Sequence, residues 1–226
     1  MKNVALILAS GTGSRCGLGY PKQFAEIKGK PLLMHTISKF QNNTNIDDIV
    51  VVTNSEYVDK VKELLLTYPA SKVVNVLAGG ETRKDSSYNG INSIGYDECN
   101  VLIHDGVRPL ITDEIINNCI KELETKSAVC VAIDSTDTIY VTAEDGEIVD
   151  VPKRALLKRA QTPQCFKLSL IKKAHELANN DKNCIVTDDC GLIMQYGLAK
   201  VYTTKGDESN IKITFPEDFD FAEKHL

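Results

Sequence analysis

Short apolar runs alternate along this chain with segments whose apolar residues recur at helical spacing. The runs that predict strands are residues 3–9, 48–53, 73–77, 100–104, 128–133 and 200–204. Several are apolar at consecutive positions, which is typical of strands covered on both faces of a parallel sheet. The alternation therefore predicts an α/β fold with a doubly wound, mostly parallel sheet, in which ligands bind at the carboxyl ends of the strands.

The helices between these strands are predicted from their period and from their first residues. Residues 31–40 place apolar side chains on one helical face, and Pro31 suits a first helical position. Four further helix starts are predicted from capping residues, at Ser55, Thr112, Thr187 and Thr214. The last of these would form a capping box with Glu217, and Gly197 would end the helix before it.

One stretch departs from the β/α rhythm. Residues 138–150 carry two short β-type runs on either side of Asp145-Gly146, a dipeptide typical of hairpin turns. An isolated hairpin is only marginally stable, so we expect an arm over about residues 136–152 that contacts a second copy of the chain. The expected assembly is a homodimer.

Composition narrows the class of protein. The length of 226 residues suits one domain, 1–226, and the net charge of -5 disfavours nucleic-acid or membrane partners. The apolar run at 3–9 is too short to span a bilayer, and seven cysteines without a C-x-x-C pair predict reduced thiols. These features are typical of a cytoplasmic protein that has neither a disulfide framework nor a zinc site.

The first strand leads into a glycine-rich loop that begins at Gly11 and Gly13. Glycines at this place let backbone N–H groups approach a phosphate closely. Cys16 interrupts a dinucleotide fingerprint, and no G-K-[ST] follows, so neither of the two common phosphate-loop motifs fits. The loop and its two cations, Arg15 and Lys22, leave open both a phosphate site and an ordinary βα turn with solvated charges.

Other polar groups also follow predicted strands. Asp105 ends the strand at 100–104, where a carboxylate is well placed to hold Mg²⁺ for a bound triphosphate, although it could merely cap a loop. Residues 79–86 repeat the combination of glycines, a cation and a hydroxyl, Arg154 and Arg159 follow the hairpin, and Lys212 lies near the C-terminus. No nucleophile–base set accompanies them, which favours phosphoryl or nucleotidyl transfer, where positioning and charge neutralisation supply most of the catalysis.

Taken together, these motifs resemble one family. The matching segments, in order along nearly the whole chain, are 9–15, 21–23, 79–90, 104–109, Arg154, 160–166, 187–189 and 210–218. They are similar to the CTP-dependent polyol-phosphate cytidylyltransferases, which include the 2-C-methyl-D-erythritol 4-phosphate and ribitol-5-phosphate enzymes. The resemblance implies a Rossmann-like nucleotidyltransferase fold, and transfer of CMP from CTP to a polyol phosphate with release of pyrophosphate.

The resemblance also implies a CTP site. Its residues would be Ile7, Leu8, Ala9, Ser10, Gly11, Gly13, Gly80, Glu81, Arg83, Ser86 and Asp105. Asp105 would in addition hold the Mg²⁺ cofactor.

Four cations would be catalytic by the same resemblance: Arg15, Lys22, Arg154 and Lys212. Arg15 and Lys22 would stabilise charge on the transferred phosphate, whereas Arg154 and Lys212 would grip the acceptor phosphate together with Arg108 and Thr187. Arg154 would reach the site of the partner subunit from the arm, with action in its own subunit as the alternative.

Some positions differ from the methylerythritol pattern, and all of them surround the acceptor. They are 16, 106–107, 187–191 and 206–210. These differences favour ribitol 5-phosphate as the acceptor, with 2-C-methyl-D-erythritol 4-phosphate as the alternative. A sugar-1-phosphate nucleotidyltransferase, a regulatory nucleotide-binding protein and a dehydrogenase explain fewer of the motifs.

Overall fold

A computed structural model describes residues 1–13, 16–17 and 19–226, so that Arg15 lies outside the described residues. Seven strands form the central sheet, in the order β11-β7-β10-β6-β1-β4-β5. Their bounds are β1 Asn3–Ala9, β4 Asp48–Thr53, β5 Val73–Ala78, β6 Asn100–Asp105, β7 Ala128–Asp134, β10 Lys158–Lys167 and β11 Tyr202–Lys205. All neighbouring strands pair in parallel except β10, which is antiparallel to both β6 and β7.

Helices cover both faces of this sheet. They are α1 Leu32–Asn42, α2 Val58–Thr67, α3 Arg83–Asn92, α4 Asp113–Glu122, α5 Leu168–Asn179, α6 Asp189–Gln195 and α7 Pro216–His225. Ala5 and Ile7 of β1 belong to a core with α1, α2 and α4, whereas Leu6 and Leu8 belong to a core with α3, α5 and α6. Successive side chains of a strand point to opposite faces, so the uninterrupted apolar run of β1 buries both. The predicted doubly wound, mostly parallel α/β fold is confirmed.

The sequence pattern missed β10, the longest strand of the sheet. Its segment Gln161-Thr162-Pro163-Gln164 is polar and contains a proline, which is typical of a loop rather than a central strand. The pairing of β10 with β7 shifts between Ala160 and Gln164, and the polar side chains there are buried. Helices α3 and α5 were also not predicted, and the last strand begins two residues later than expected, at Tyr202.

Several helix starts differ from the predicted ones. Thr112 caps α4 as predicted, by accepting a hydrogen bond from the Ile115 backbone. Ser55 was wrong as the cap of α2, because a short 3-10 turn intervenes and the Asn54 side chain accepts at its start. Thr187 was also wrong, since the side chain of Asp188 caps α6.

Two further predictions of helix starts need correction, and one prediction of a helix end is confirmed. At α7 the carboxylate of Asp218, not Glu217, accepts from the backbone of Thr214 and Phe215. Pro31 lies just before α1, in the short strand β3 (Lys30–Pro31) that pairs with β2 (Glu26–Ile27). Gly197, at φ +60°, follows α6 as predicted.

The expected hairpin lies between β7 and β10. It consists of β8 (Val141–Thr142) and β9 (Ile148–Asp150), with Gly146 at φ +91° in the turn. Its residues are exposed, including the side chains of Ile139 and Val149. None of the helices in the described part of the chain is long and apolar enough to cross a membrane.

Candidate active site

A cavity of about 380 Å³ opens where β1 and β6 end side by side. Leu8 of β1 pairs with Asp105 of β6, so both loops that leave these strands border the same space. The predicted site residues that line it are Leu8, Ala9, Ser10, Gly11, Gly13, Lys22, Gly80, Glu81, Arg83, Asp105 and Lys212. Thr12, Gln23, Thr82 and Val107 complete the wall. Segments far apart in the sequence therefore meet at the carboxyl edge of the sheet, where α/β folds bind ligands.

The remaining predicted residues that the structure describes lie outside the cavity wall. Ile7 does not line the cavity, because its side chain is packed in the core on the α1 side of the sheet. Ser86 and Arg108 lie behind the wall and hold residues of the cavity. Thr187 lines a neighbouring cavity of about 230 Å³, which shares Thr82 and Arg83 with the first.

The glycine-rich loop is held by Gln23, a residue of the matching segment 21–23 for which no role was predicted. Gln23 is buried, and its amide donates to the carbonyls of Ala9 at 2.7 Å and Gly11 at 3.0 Å. Gly13 adopts φ +71°, and a Cβ there would lie 3.0 Å from the backbone nitrogen of Lys22. The loop thus folds closely over Lys22, whose side chain is almost buried and borders the cavity.

Ser86 joins the glycine-rich loop to the loop that follows β5. Its hydroxyl lies 2.8 Å from the hydroxyl of Ser10, donates to the carbonyl of Thr82 and accepts from the backbone of Gly80 at 3.2 Å. Thr82 and Asp85 form a capping box, which starts α3 at the cavity wall. The positive end of the α3 dipole therefore faces the cavity, which favours an anionic ligand.

Asp105 lies at the centre of a cluster of positive charge. Its carboxylate is 3.2 Å from the Lys212 ammonium, 3.2 Å from Nε of Arg108 and 3.9 Å from Nε of Arg83. Burial raises the pKa of Asp105, but the charges of Lys212, Arg83 and Arg108 outweigh burial and hold the pKa below its usual range. One ionised carboxylate thus fixes three cations at the cavity.

Hydrogen bonds from buried polar groups hold the residues around Asp105 in place. His104 shares hydrogen bonds with the hydroxyl of Thr162 and the carbonyl of Arg108, and burial lowers the His104 pKa to about 4, so the imidazole is neutral. Arg108 also donates to the carbonyl of Asn210 at 2.7 Å. The Asn210 amide in turn donates to the carbonyl of Thr162 at 3.0 Å, which ties the segment carrying Lys212 to β10.

The residues of the cavity fit a magnesium ion that would bind together with a nucleotide. Magnesium is usually held by one or two carboxylates together with substrate phosphates. Asp105 supplies one ionised carboxylate at the cavity, and the described residues contain no group of three or more acidic, histidine or cysteine side chains placed to bind a metal alone.

Arg154 lies at the base of the arm, away from this cavity. It begins a short 3-10 turn between β9 and β10, and its side chain donates to the carbonyl of Thr136 at 3.3 Å. Arg159 nearby pairs with Glu208 on the surface. Within one chain, the structure therefore brings Lys212 to Asp105 but does not place Arg154 in the cavity wall.

Comparison with known proteins identifies the family. A family model described as 2-C-methyl-D-erythritol 4-phosphate cytidylyltransferase (IspD) matches residues 3–226. The enzyme of that name from Clostridium novyi (strain NT) is 43% identical over 226 residues, which cover 100% of this chain and 96% of that protein. The bifunctional ribulose 5-phosphate reductase/CDP-ribitol pyrophosphorylase Bcs1 of Haemophilus influenzae is 40% identical over 99% of this chain, which spans 48% of that protein.

Solved structures agree with the sequence comparison. The crystal structure of 4-diphosphocytidyl-2C-methyl-D-erythritol synthase from Anaerococcus prevotii DSM 20548 superposes with a TM-score of 0.88 at 31% identity. The match covers 100% of this chain and 98% of that one. The chain belongs to the 2-C-methyl-D-erythritol 4-phosphate cytidylyltransferase family, and it is a CTP-dependent cytidylyltransferase of a polyol phosphate.

Proposed function

We propose that the acceptor of this enzyme is 2-C-methyl-D-erythritol 4-phosphate, and the product its CDP derivative. The observation that carries the proposal is the match of residues 3–226 to the family of that name. The names of the Clostridium novyi relative and the Anaerococcus prevotii structure agree with it. This reverses the preference for ribitol 5-phosphate, which was drawn from a few positions around the acceptor.

An apolar patch in the cavity supports the same acceptor. Val107 lines the cavity together with Asp105 and Lys212, and it belongs to an apolar cluster with Leu32 and Ile213. Position 107 differs from the methylerythritol pattern, but the side chain that it carries is apolar. Methylerythritol phosphate differs from ribitol phosphate in carrying a methyl branch, and burying one such group contributes about 1 kcal/mol. Val107 offers that methyl group a contact beside the cation that would hold the phosphate.

The chemistry requires two anions to be brought together. An oxygen of the acceptor phosphate attacks the α-phosphorus of CTP, a new P–O bond forms, and the bond to the β-phosphate oxygen breaks to release pyrophosphate. The second pKa of a phosphate monoester is about 6, so the attacking oxygen is already ionised at neutral pH and needs no general base.

The cations of the site would lower the barrier by charge. Lys22 and Arg15 would stabilise the charge that develops on the α-phosphate, and Lys212 would hold the acceptor phosphate. The backbone around Gly11, Gly13 and Gly80 would approach the nucleotide. When bound, Mg²⁺ would neutralise phosphate charge, and Asp105 is the residue that would hold it.

A homodimer would complete the acceptor site. Arg154 does not line the cavity of its own chain, and it lies at the base of an arm whose apolar side chains are exposed. Exchange of arms between two protomers would bury these side chains and carry Arg154 towards the partner's Lys212.

Ribitol 5-phosphate is the second candidate acceptor. It is supported by the Haemophilus influenzae relative, whose name includes CDP-ribitol pyrophosphorylase, and by the differences from the methylerythritol pattern at residues 16, 106–107, 187–191 and 206–210. The kcat/KM values for the two acceptors, measured by pyrophosphate release at saturating CTP and Mg²⁺, separate the candidates. We expect the value for 2-C-methyl-D-erythritol 4-phosphate to be at least about fivefold higher, which corresponds to the contribution of about 1 kcal/mol from one buried methyl group. A higher value for ribitol 5-phosphate would overturn the proposal and leave the cytidylyltransferase assignment intact.

A further inference from the structure

We propose that Asp189 is a positioning residue that holds the guanidinium of Arg83 in place at the nucleotide cavity. The inference rests on the proposed assignment of this cavity to CTP. It concerns a residue that lines the smaller neighbouring cavity and not the nucleotide cavity itself.

The two oxygens of the Asp189 carboxylate have separate partners. One accepts a hydrogen bond from Nη1 of Arg83 at 2.6 Å. The other accepts from the hydroxyl of Ser87 at 2.7 Å and from Nε2 of His175 at 3.0 Å. The carboxylate is only 1% exposed, and a buried charge of this kind is tolerated because it is paired and hydrogen-bonded. The orientation of its Arg83-facing oxygen is therefore fixed by the two donors that hold its other oxygen.

The backbone of Asp189 is fixed as firmly as its side chain. Asp189 is the first residue of α6, and its N–H donates to the side-chain oxygen of Gln164 at 3.0 Å. The amide nitrogen of Gln164 donates to the capping carboxylate of Asp188 at 2.6 Å. Gln164 belongs to β10, so a central strand anchors the carboxylate that holds Arg83.

Arg83 stands between two carboxylates. It lines both cavities, with Asp189 at 2.6 Å on one side and Asp105 at 3.9 Å on the other. The tight pair with Asp189 keeps the guanidinium from closing onto Asp105. Without the Asp189 charge, we expect Arg83 to move towards Asp105, and its N–H groups to be withdrawn from a bound nucleotide.

A purely structural role for Asp189 makes a different prediction. Asp189 belongs to α6 and the partners of its side chain belong to α3 and α5, so its removal could simply loosen the packing of three helices. Loosening would impair the enzyme whether or not Arg83 is present. A positioning role requires the effect on CTP to disappear when Arg83 is absent, because the pair then has nothing left to hold.

The test is a double-mutant cycle of Arg83→Ala and Asp189→Asn, with KM for CTP and kcat measured for each. We expect each single variant to raise KM for CTP about tenfold with a smaller change in kcat, because Arg83 would bind the nucleotide in the ground and transition states alike. In the Arg83→Ala background, Asp189→Asn should add less than about twofold. Ser87→Ala keeps the Asp189 charge and should show a smaller effect with the same dependence on Arg83.

The control variant is Asn100→Ala, which removes a buried side chain at the opposite end of β6. Asn100 bonds to Asn3 and Lys167 and should affect thermal stability but not KM for CTP. If Asp189→Asn and Ser87→Ala raise KM equally with and without Arg83, or leave it unchanged while Arg83→Ala raises it, the positioning role is wrong. If Arg83→Ala itself leaves KM for CTP unchanged, the assignment of the cavity to CTP fails as well.

Discussion

Single residues of this site carry charges that burial would ordinarily oppose. Asp105 is ionised because three cations surround it, and those cations are held near one another because Asp105 lies between them. The positions that could be predicted from the sequence were glycines and charged residues after strands, since they have a recognisable pattern. Gln23, Asn210 and Asp189 lie in matching segments, but their roles were missed, because a hydrogen bond to a distant segment leaves no local pattern.

The loop cations give the first prediction at this scale. Lys22→Ala and Arg15→Ala should each lower kcat about 100-fold or more while changing KM for CTP little, because they would act on charge that develops in the transition state. Steady-state kinetics with both substrates varied measures the split. Lys62→Ala is the matched control, since Lys62 is exposed and pairs only with Asp59 on α2 among the residues described. A variant of Lys22 that raises KM without lowering kcat would contradict the assigned role.

The second prediction concerns the pH dependence of the reaction. Because the Asp105 pKa is lowered, this carboxylate becomes protonated only below its usual range and stays ionised from pH 5 upward. The fall of kcat/KM for the acceptor on the acid side should therefore follow the acceptor phosphate, with an inflection near a pKa of about 6. Asp105→Asn should lower activity and keep that inflection. Loss of the acid limb in this variant would assign it to Asp105.

The strands that were predicted correctly are those with a clear pattern of apolar residues. β1 and β6 are buried on both faces and were predicted, whereas β10 is a central strand with polar side chains that find buried partners. α3 was not predicted, because it consists mostly of small and polar residues. These small residues allow it to pack closely on β1 and β4. α5 was not predicted either, although it carries apolar residues at helical spacing, from Leu168 through Ile171 and Ala174, and this pattern would have been sufficient to predict it.

The close approach of α3 to the sheet can be tested at Gly90. A Cβ at this position would clash with a methyl group of Leu6 and lie 2.8 Å from Cγ2 of Val52. Gly90→Ala should lower the free energy of unfolding by about 1–3 kcal/mol, as is usual for overpacking. Gly95→Ala is the control, because nothing lies within 4 Å of its Cβ position. Urea unfolding of both variants measures the difference, and equal stability of the two would contradict the packing described for α3.

The whole molecule joins a nucleotide-binding sheet to an arm that leaves it. Apolar side chains on the arm, such as Ile139 and Val149, are exposed in one chain, and Arg154 does not line the cavity that Lys212 lines. The arm could be predicted from its turn residues and its two short β-type runs. The position of a second chain could not be predicted, because it produces no local pattern in the sequence.

Mixing two inactive variants tests the proposed dimer. Arg154→Ala and Lys212→Ala should each abolish most activity, and a mixed dimer with composite sites has one site lacking both groups and one site intact. Mixing and re-equilibrating the two should therefore restore activity. Absence of recovery, despite subunit exchange demonstrated with labelled protomers, would place Arg154 in its own subunit's site.

The measurement that tests the central claim most directly is nucleotide use in the presence of 2-C-methyl-D-erythritol 4-phosphate and Mg²⁺. Pyrophosphate release from CTP, ATP, GTP and UTP, with the mass of each product, identifies both the group transferred and its acceptor. The account predicts release with CTP far above the other nucleotides, and a product with the mass of the CDP-alcohol. Equal release from all four nucleotides, or hydrolysis of CTP to CMP with no adduct to any polyol phosphate, would contradict it.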